Sequence, residues 1–267
     1  MQKISRRVAR TTMLGGLVAA ALATTPGIGQ AAAAPGDLTV ARVSGAITIV
    51  PGTVDVNDTV EVVRSGTSFL VRNSTGTLRA TPGGGCDQVN AREVNCGTGI
   101  GGLSANLGGG NDTFTARVPL TGAVSGGNGA DVFNGGLATG GGTTLTYQGG
   151  GGSDTVSYAG AGVSVQVTVD GVNNDGRNSG GFIDRDKVLT DVEVIIGSRF
   201  GDTITGDDTA EIINPLGGDD RISANGGADT VELRDGGRDT FADCGSGRDI
   251  ANADAGDRPT ACETVNR

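Results

Sequence analysis

A carboxylate recurs at every ninth position from residue 202 to residue 229: Asp202, Glu211, Asp220 and Asp229. The step then lengthens to ten, at Asp239 and Asp249. Copies of the same frame end at Asp112, Asp131 and Asp154, each with glycines, then Asp, one spacer and one apolar residue. The apolar residues of the eight Asp copies are Phe114, Phe133, Val156, Ile204, Ile222, Val231, Phe241 and Ala251. With 50 Gly in 267 residues, composition alone would scatter Gly-x-Asp triplets along the chain. It would not hold an apolar residue in phase with them, and self-similarity at a fixed short period decides a fold before any other signal does.

A nine-residue unit with one apolar position can be a glycine-rich turn of about six residues followed by a strand of about three. Glycine permits the left-handed backbone angles such turns need, and the apolar residue points inward. The core expected is a thin apolar ladder, in keeping with six Phe, two Tyr and no Trp. The 24 Asp against six Glu suit tight turns better than helix faces. Two units make a coil of 18, so a turn at position n stacks on the turn at n + 18. Asp202, Asp220 and Asp239 then share one edge, and Glu211, Asp229 and Asp249 the other. Stacked turns lie about 4.8 Å apart, and carboxylates at that spacing repel unless something cationic lies between them. A flexible shell of carboxylate and carbonyl oxygens is what Ca²⁺ prefers, whereas Mg²⁺ demands a stricter octahedron. Zinc and copper are disfavoured, because the chain has no His and its Cys spacing does not match a metal site.

The copy Gly126-Gly127-Asn128-Gly129-Ala130-Asp131-Val132-Phe133-Asn134, with those at Gly108 to Phe114 and Gly149 to Val156, resembles the hemolysin-type (RTX) nonapeptide, Gly-Gly-x-Gly-x-Asp-x-apolar-x. The resemblance covers roughly residues 105 to 157 and 195 to 252. It implies a right-handed parallel β-roll, or β-solenoid, with Ca²⁺ between consecutive turns. The ligands it implies are Asp112, Asp131, Asp154, Asp202, Asp220, Asp229, Asp239 and Asp249. There are departures. Glu211 comes after Gly206-Asp207-Asp208-Thr209-Ala210 and lacks the fourth-position glycine, so a weak or empty site is expected there. Phe200 stands where glycine is expected before Asp202, and the step from Asp131 to Asp154 carries an insertion around Ala138 to Thr144.

Residues 1–33 read as an export signal, with Lys3, Arg6, Arg7 and Arg10 preceding an apolar run and Ala31-Ala32-Ala33 as the cleavage site. Both the general and the twin-arginine export routes fit this segment. Residues 34–104 alternate apolar and polar, as in Leu38-Thr39-Val40 and Val60-Glu61-Val62, and predict an N-terminal antiparallel β cap. Next come a first repeat block at 105–157, a strand and acidic loop at 158–196, and a second repeat block at 197–267. Four Cys in an exported chain suggest two disulfides. Of the three pairings, the local one is favoured, Cys86 with Cys96 and Cys244 with Cys262, since each brackets its own turn-rich segment. The expected class is all-β.

The absence of His removes the Ser-His-Asp triad and any His general base. Without residues 1–33 the chain carries 16 Lys and Arg against 30 Asp and Glu, a net charge of −14 that disfavours nucleic acid and anionic membrane as partners. The reading is a secreted, non-catalytic Ca²⁺-binding β-roll, folded by its ion, with a structural, adhesive or envelope-associated role and a cell-surface or polysaccharide partner left unspecified. Two alternatives compete with it. A Ca²⁺-dependent polysaccharide lyase would use Arg185 and Lys187 beside Asp184 and Asp186, but the coils are narrow and acidic for a substrate groove. An RTX toxin-like pore former would need an inserting segment, and none of that length and apolarity occurs after residue 33. The crowded acids Asp170, Asp175, Asp184 and Asp186 read equally as a further ion site and as a solvated loop.

Overall fold

The residues after each motif Asp fall into short strands because every second side chain is apolar and glycine or Asn bounds the run. The structure, a computed structural model, describes residues 34–181 and 183–267. The export segment expected at 1–33 lies outside the described residues. Among the described residues every regular element is a β-strand.

The N-terminal part is built from antiparallel hairpins. Leu38–Val43 pairs with Ala46–Val50 through Ser44-Gly45, both at positive φ (51° and 80°), the two-residue turn whose twist matches that of its strands. Thr59–Ser65 pairs with Ser68–Asn73, and Asp87–Asn90 with Glu93–Asn95 inside the Cys86–Cys96 disulfide. These hairpins are joined edge to edge with the repeat region, since Ala46–Val50 pairs in parallel with Gly102–Gly109, and Thr59–Ser65 with Thr113–Ala116.

Beyond residue 102 nearly all pairing is parallel. One sheet joins Thr113–Ala116, Val132–Asn134, Thr155–Ser157, Val194–Ile196, Ile212–Asn214, Thr230–Leu233, Ile250–Ala253 and Thr264–Asn266 in chain order. A second joins Val165–Thr168, Thr203–Thr205, Arg221–Ser223, Phe241–Asp243 and Pro259–Thr260. From Val194 onward the strands of these two sheets alternate along the chain. Register aligns Val60, Phe114, Phe133, Val156, Ile195, Ile213, Val231 and Ala251 in one buried row, each 0% exposed. Burying each large aliphatic or aromatic side chain in such a row contributes roughly 1.5–3 kcal/mol.

One apolar assignment is corrected. Phe241 is 45% exposed, and the buried residue of its strand is Ala242, which pairs with Ile222. Asp239 is separated from its inward position by one more residue than Asp202 or Asp220 is, so Phe241 turns outward, where the Arg221 guanidinium lies 4.4 Å over its ring. The second disulfide joins Cys244 to Cys262, as the local pairing predicts, and together the two point to an oxidising, extracellular environment.

Candidate metal centre: two ladders of buried carboxylates

Each motif Asp ends a turn at the point where its strand begins, and its own N–H needs an acceptor there. The next turn supplies one. The N–H of Asp58 donates to Oδ1 of Asp112 (2.7 Å), that of Asp112 to Asp131 (2.8 Å), that of Asp131 to Asp154 (2.8 Å) and that of Asp154 to Oε2 of Glu193 (2.8 Å). The same pattern runs from Glu211 to Asp229, Asp229 to Asp249 and Asp249 to Glu263. A second ladder runs from Val165 to Asp202, Asp220, Asp239 and Asp257. The two edges expected from the spacing are therefore present: 202, 220 and 239 in one line, and 211, 229 and 249 in the other. The carboxylates do not simply face one another, because a backbone N–H enters between each pair.

That donation satisfies one oxygen of each Asp, as the N–H of Asp207 does for Glu211, and leaves the other. Oδ2 of Asp112, Asp131, Asp154, Asp220, Asp229, Asp239 and Asp249, and Oε2 of Glu211, are buried without a hydrogen-bond partner. All eight residues are at most 2% exposed. At Asp131, Asp154 and Glu211 the local sequence explains the position of the free oxygen, which lies against the glycine five residues earlier. A Cβ on Gly126 or Gly149 would overlap Oδ2 of Asp131 or Asp154, and one on Gly206 would come within 2.6 Å of Oε2 of Glu211. In these three copies the first glycine of the motif is thus the space the carboxylate occupies.

Burial without compensating charge disfavours ionisation. It pushes Glu211 and Asp220 up to about 8, Asp112 to about 7, and Asp154, Asp229 and Asp239 to about 6, and neighbouring carboxylates add to the shift. Asp131 is raised by the same burial. A row of buried oxygens that are negative or proton-bearing, hard in character and otherwise unused fits a hard cation.

The sequence-derived set and this set differ at two positions. Asp202 sits on the ladder, but Ser198 occupies it: Ser198 donates its N–H to Oδ2 (2.5 Å) and its hydroxyl to Oδ1 (2.8 Å). Glu211 accepts the N–H of Asp207 on Oε1 (2.9 Å) and keeps Oε2 free, so its longer chain reaches the place an Asp would take. Asp58, Glu193, Asp257 and Glu263 are ladder members that the motif pattern passes over. Asp58, Glu193 and Glu263 do precede an apolar residue by two positions (Val60, Ile195 and Val265), a signal hidden by the lack of preceding glycines.

The acidic loop is organised differently. Asp175 accepts the N–H groups of Thr168 and Val188, and Asp186 accepts the N–H of Leu145 and the hydroxyl of Tyr158. Asp184, 0% exposed, is gripped by Arg177 through Nε (2.7 Å) and Nη2 (2.8 Å). These acids hold the insertion together, and both oxygens of each have partners. Compared with known proteins, the chain matches no family model and no curated sequence.

Proposed function

We propose that this chain is an extracellular, non-catalytic Ca²⁺-binding β-roll whose fold is completed by the ion and whose role is structural or adhesive. The observation that carries the reading is the set of eight buried, partnerless carboxylate oxygens arranged along two ladders. The alternation of strands between two parallel sheets supports the winding, and the glycine cradles support the turns. Ca²⁺ suits the donor set because it takes six to eight oxygens in flexible geometry and accepts carbonyls and water beside carboxylates. Binding displaces protons from the ladder and replaces carboxylate repulsion with attraction. Export through residues 1–33 accords with the two disulfides and with the acidity of the remainder.

The test is circular dichroism and thermal melting of the full chain, disulfides intact, titrated with Ca²⁺ after chelation and with Mg²⁺ as control. An ion that binds only the folded state adds about 2.7 kcal/mol at a hundredfold excess over its dissociation constant. A Ca²⁺-selective rise in β signal and melting temperature is expected. Curves indifferent to Ca²⁺ overturn the reading and leave the ladder acids as turn-shaping groups.

A further inference from the structure

On the Asp202 edge the ladder is closed at both ends. Asp202 is saturated by Ser198 and by the N–H of Val165. Asp257, at the other end, accepts the N–H of Asp239 on Oδ1 (3.0 Å) and that of Asp254 on Oδ2 (2.6 Å). Only the two middle carboxylates, Asp220 and Asp239, keep a free oxygen, and both residues are at most 2% exposed. A third carboxylate meets them. Asp235 stands four residues before Asp239, where the nonapeptide frame has its second glycine, and it reaches the same point from the solvent side.

The ligand oxygens of Asp220, Asp235 and Asp239 all lie within 4.8 Å of one another, which among the described residues singles them out as a three-carboxylate group. Opposite ligands on a Ca²⁺ ion with oxygens at about 2.4 Å stand about 4.8 Å apart, so the separation of these three is within the span of one coordination sphere. Asp235 is exposed and its Oδ1 accepts the N–H of Gly237 (2.6 Å), which fixes the side chain beside the two buried groups.

We infer that Asp220, Asp235 and Asp239 form a discrete divalent-cation site, bounded on both sides by self-satisfied carboxylates, that fills before the rest of the ladders. The inference deepens the Ca²⁺ reading and rests on it for the choice of ion. Elsewhere among the described residues no three carboxylates come within that distance of one another, whereas here Asp235, from outside the repeat's acidic position, raises the charge on one ion. Hard-cation affinity rises with the count of charged ligands, so this site dominates the first equivalent.

Calorimetric titration of the full chain with Ca²⁺, after chelation, tests it with Asp235→Asn and Asp131→Asn. Asn at 235 can still accept the Gly237 N–H, and a metal-free circular dichroism spectrum matching that of the parent checks the fold. The tightest step is expected to weaken at least about tenfold in Asp235→Asn, with one charged ligand fewer, while later steps persist. Asp131→Asn is expected to keep the tightest step, and Asp239→Asn to reproduce the loss. An unchanged first step in Asp235→Asn, with several ions still bound, overturns this inference and leaves the general Ca²⁺ reading standing. A parent that binds one ion, abolished by Asp235→Asn, upholds the site and overturns the ladder-wide reading. No binding at all overturns both.

Discussion

Asp112 donates its backbone N–H to Oδ1 of Asp131, 2.8 Å away and 19 residues further along, while Oδ2 of the same carboxyl has no partner. One oxygen ties two turns together and the other is left uncompensated in a buried place. A substitution that keeps the first job and removes the charge therefore acts in opposite directions with and without the ion. Asp131→Asn removes the buried charge while its amide nitrogen stays unpaired, so it should stabilise the chelated protein by only about 1 kcal/mol, and should diminish the gain on adding Ca²⁺. Denaturant unfolding in chelator and in Ca²⁺ measures both; an equal loss in the two conditions would make Asp131 purely structural.

The raised carboxylates set the pH response of the metal-free protein. Asp112 is held near 7, and Glu211 and Asp220 near 8, by burial, against ordinary values of 3.8 for Asp and 4.5 for Glu. The folded state therefore binds more protons than the unfolded chain between those limits. The stability these groups contribute is fully present below about pH 4 and is lost as pH rises through about 6 to 8. Melting temperatures in chelator should fall across that window and should flatten in saturating Ca²⁺. A metal-free melting temperature that climbs between about pH 5 and pH 8 would contradict the burial of ionisable ladder oxygens.

Gly127 should tolerate no side chain. Its φ is +114°, and a Cβ there would overlap the carbonyl oxygen of Gly108 in the neighbouring strand. Gly127→Ala combines backbone strain with a clash against main chain, and a loss above about 3 kcal/mol is expected. Gly66 also has a positive φ, +59°, but a Cβ there meets open space, so Gly66→Ala should cost only about 1 kcal/mol. Equal losses at the two sites, measured by denaturant unfolding, would deny the close approach of these two paired strands.

The insertion between the repeat blocks should depend on one ion pair. Asp184 is fully buried and held at two points by Arg177. Arg177→Met leaves that charge without a counterion and should cost about 3–5 kcal/mol. Adding Asp184→Asn to it should recover much of the loss, and a double-mutant cycle with no coupling would mean that the pair is incidental.

The repeat and its consequences were open to inspection in the amino-acid order. A carboxylate every nine residues with an apolar residue two further on predicts short strands, an apolar row and two acidic edges, because strand geometry and glycine-rich turns leave few other ways to bury one side chain per unit. Phe114, Phe133, Ile204 and Ile222 lie inward as that pattern requires, and the local cysteine pairs close as their turn-rich surroundings suggest. A single extra residue after Asp239 was enough to turn Phe241 outward, since side chains in a strand alternate faces.

What only the tertiary structure decided is the state of each oxygen. Sequence places Asp202 and Asp220 on one edge and marks the first only by the Phe200 before it, yet Ser198 saturates Asp202 and nothing reaches Oδ2 of Asp220. Sequence discounts Glu211, yet its Oε2 is free like that of its neighbours. Asp235 carries no repeat signal at all and is brought against Asp220 and Asp239 by a turn. The physical reason is that motif spacing reports which residues share an edge, whereas ligation depends on which lone pairs remain after the backbone and nearby hydroxyls have taken theirs. Part of that remainder is set by contacts across turns some 18 to 20 residues apart, and part by groups three or four residues away, such as Ser198 at Asp202, that the repeat spacing does not record.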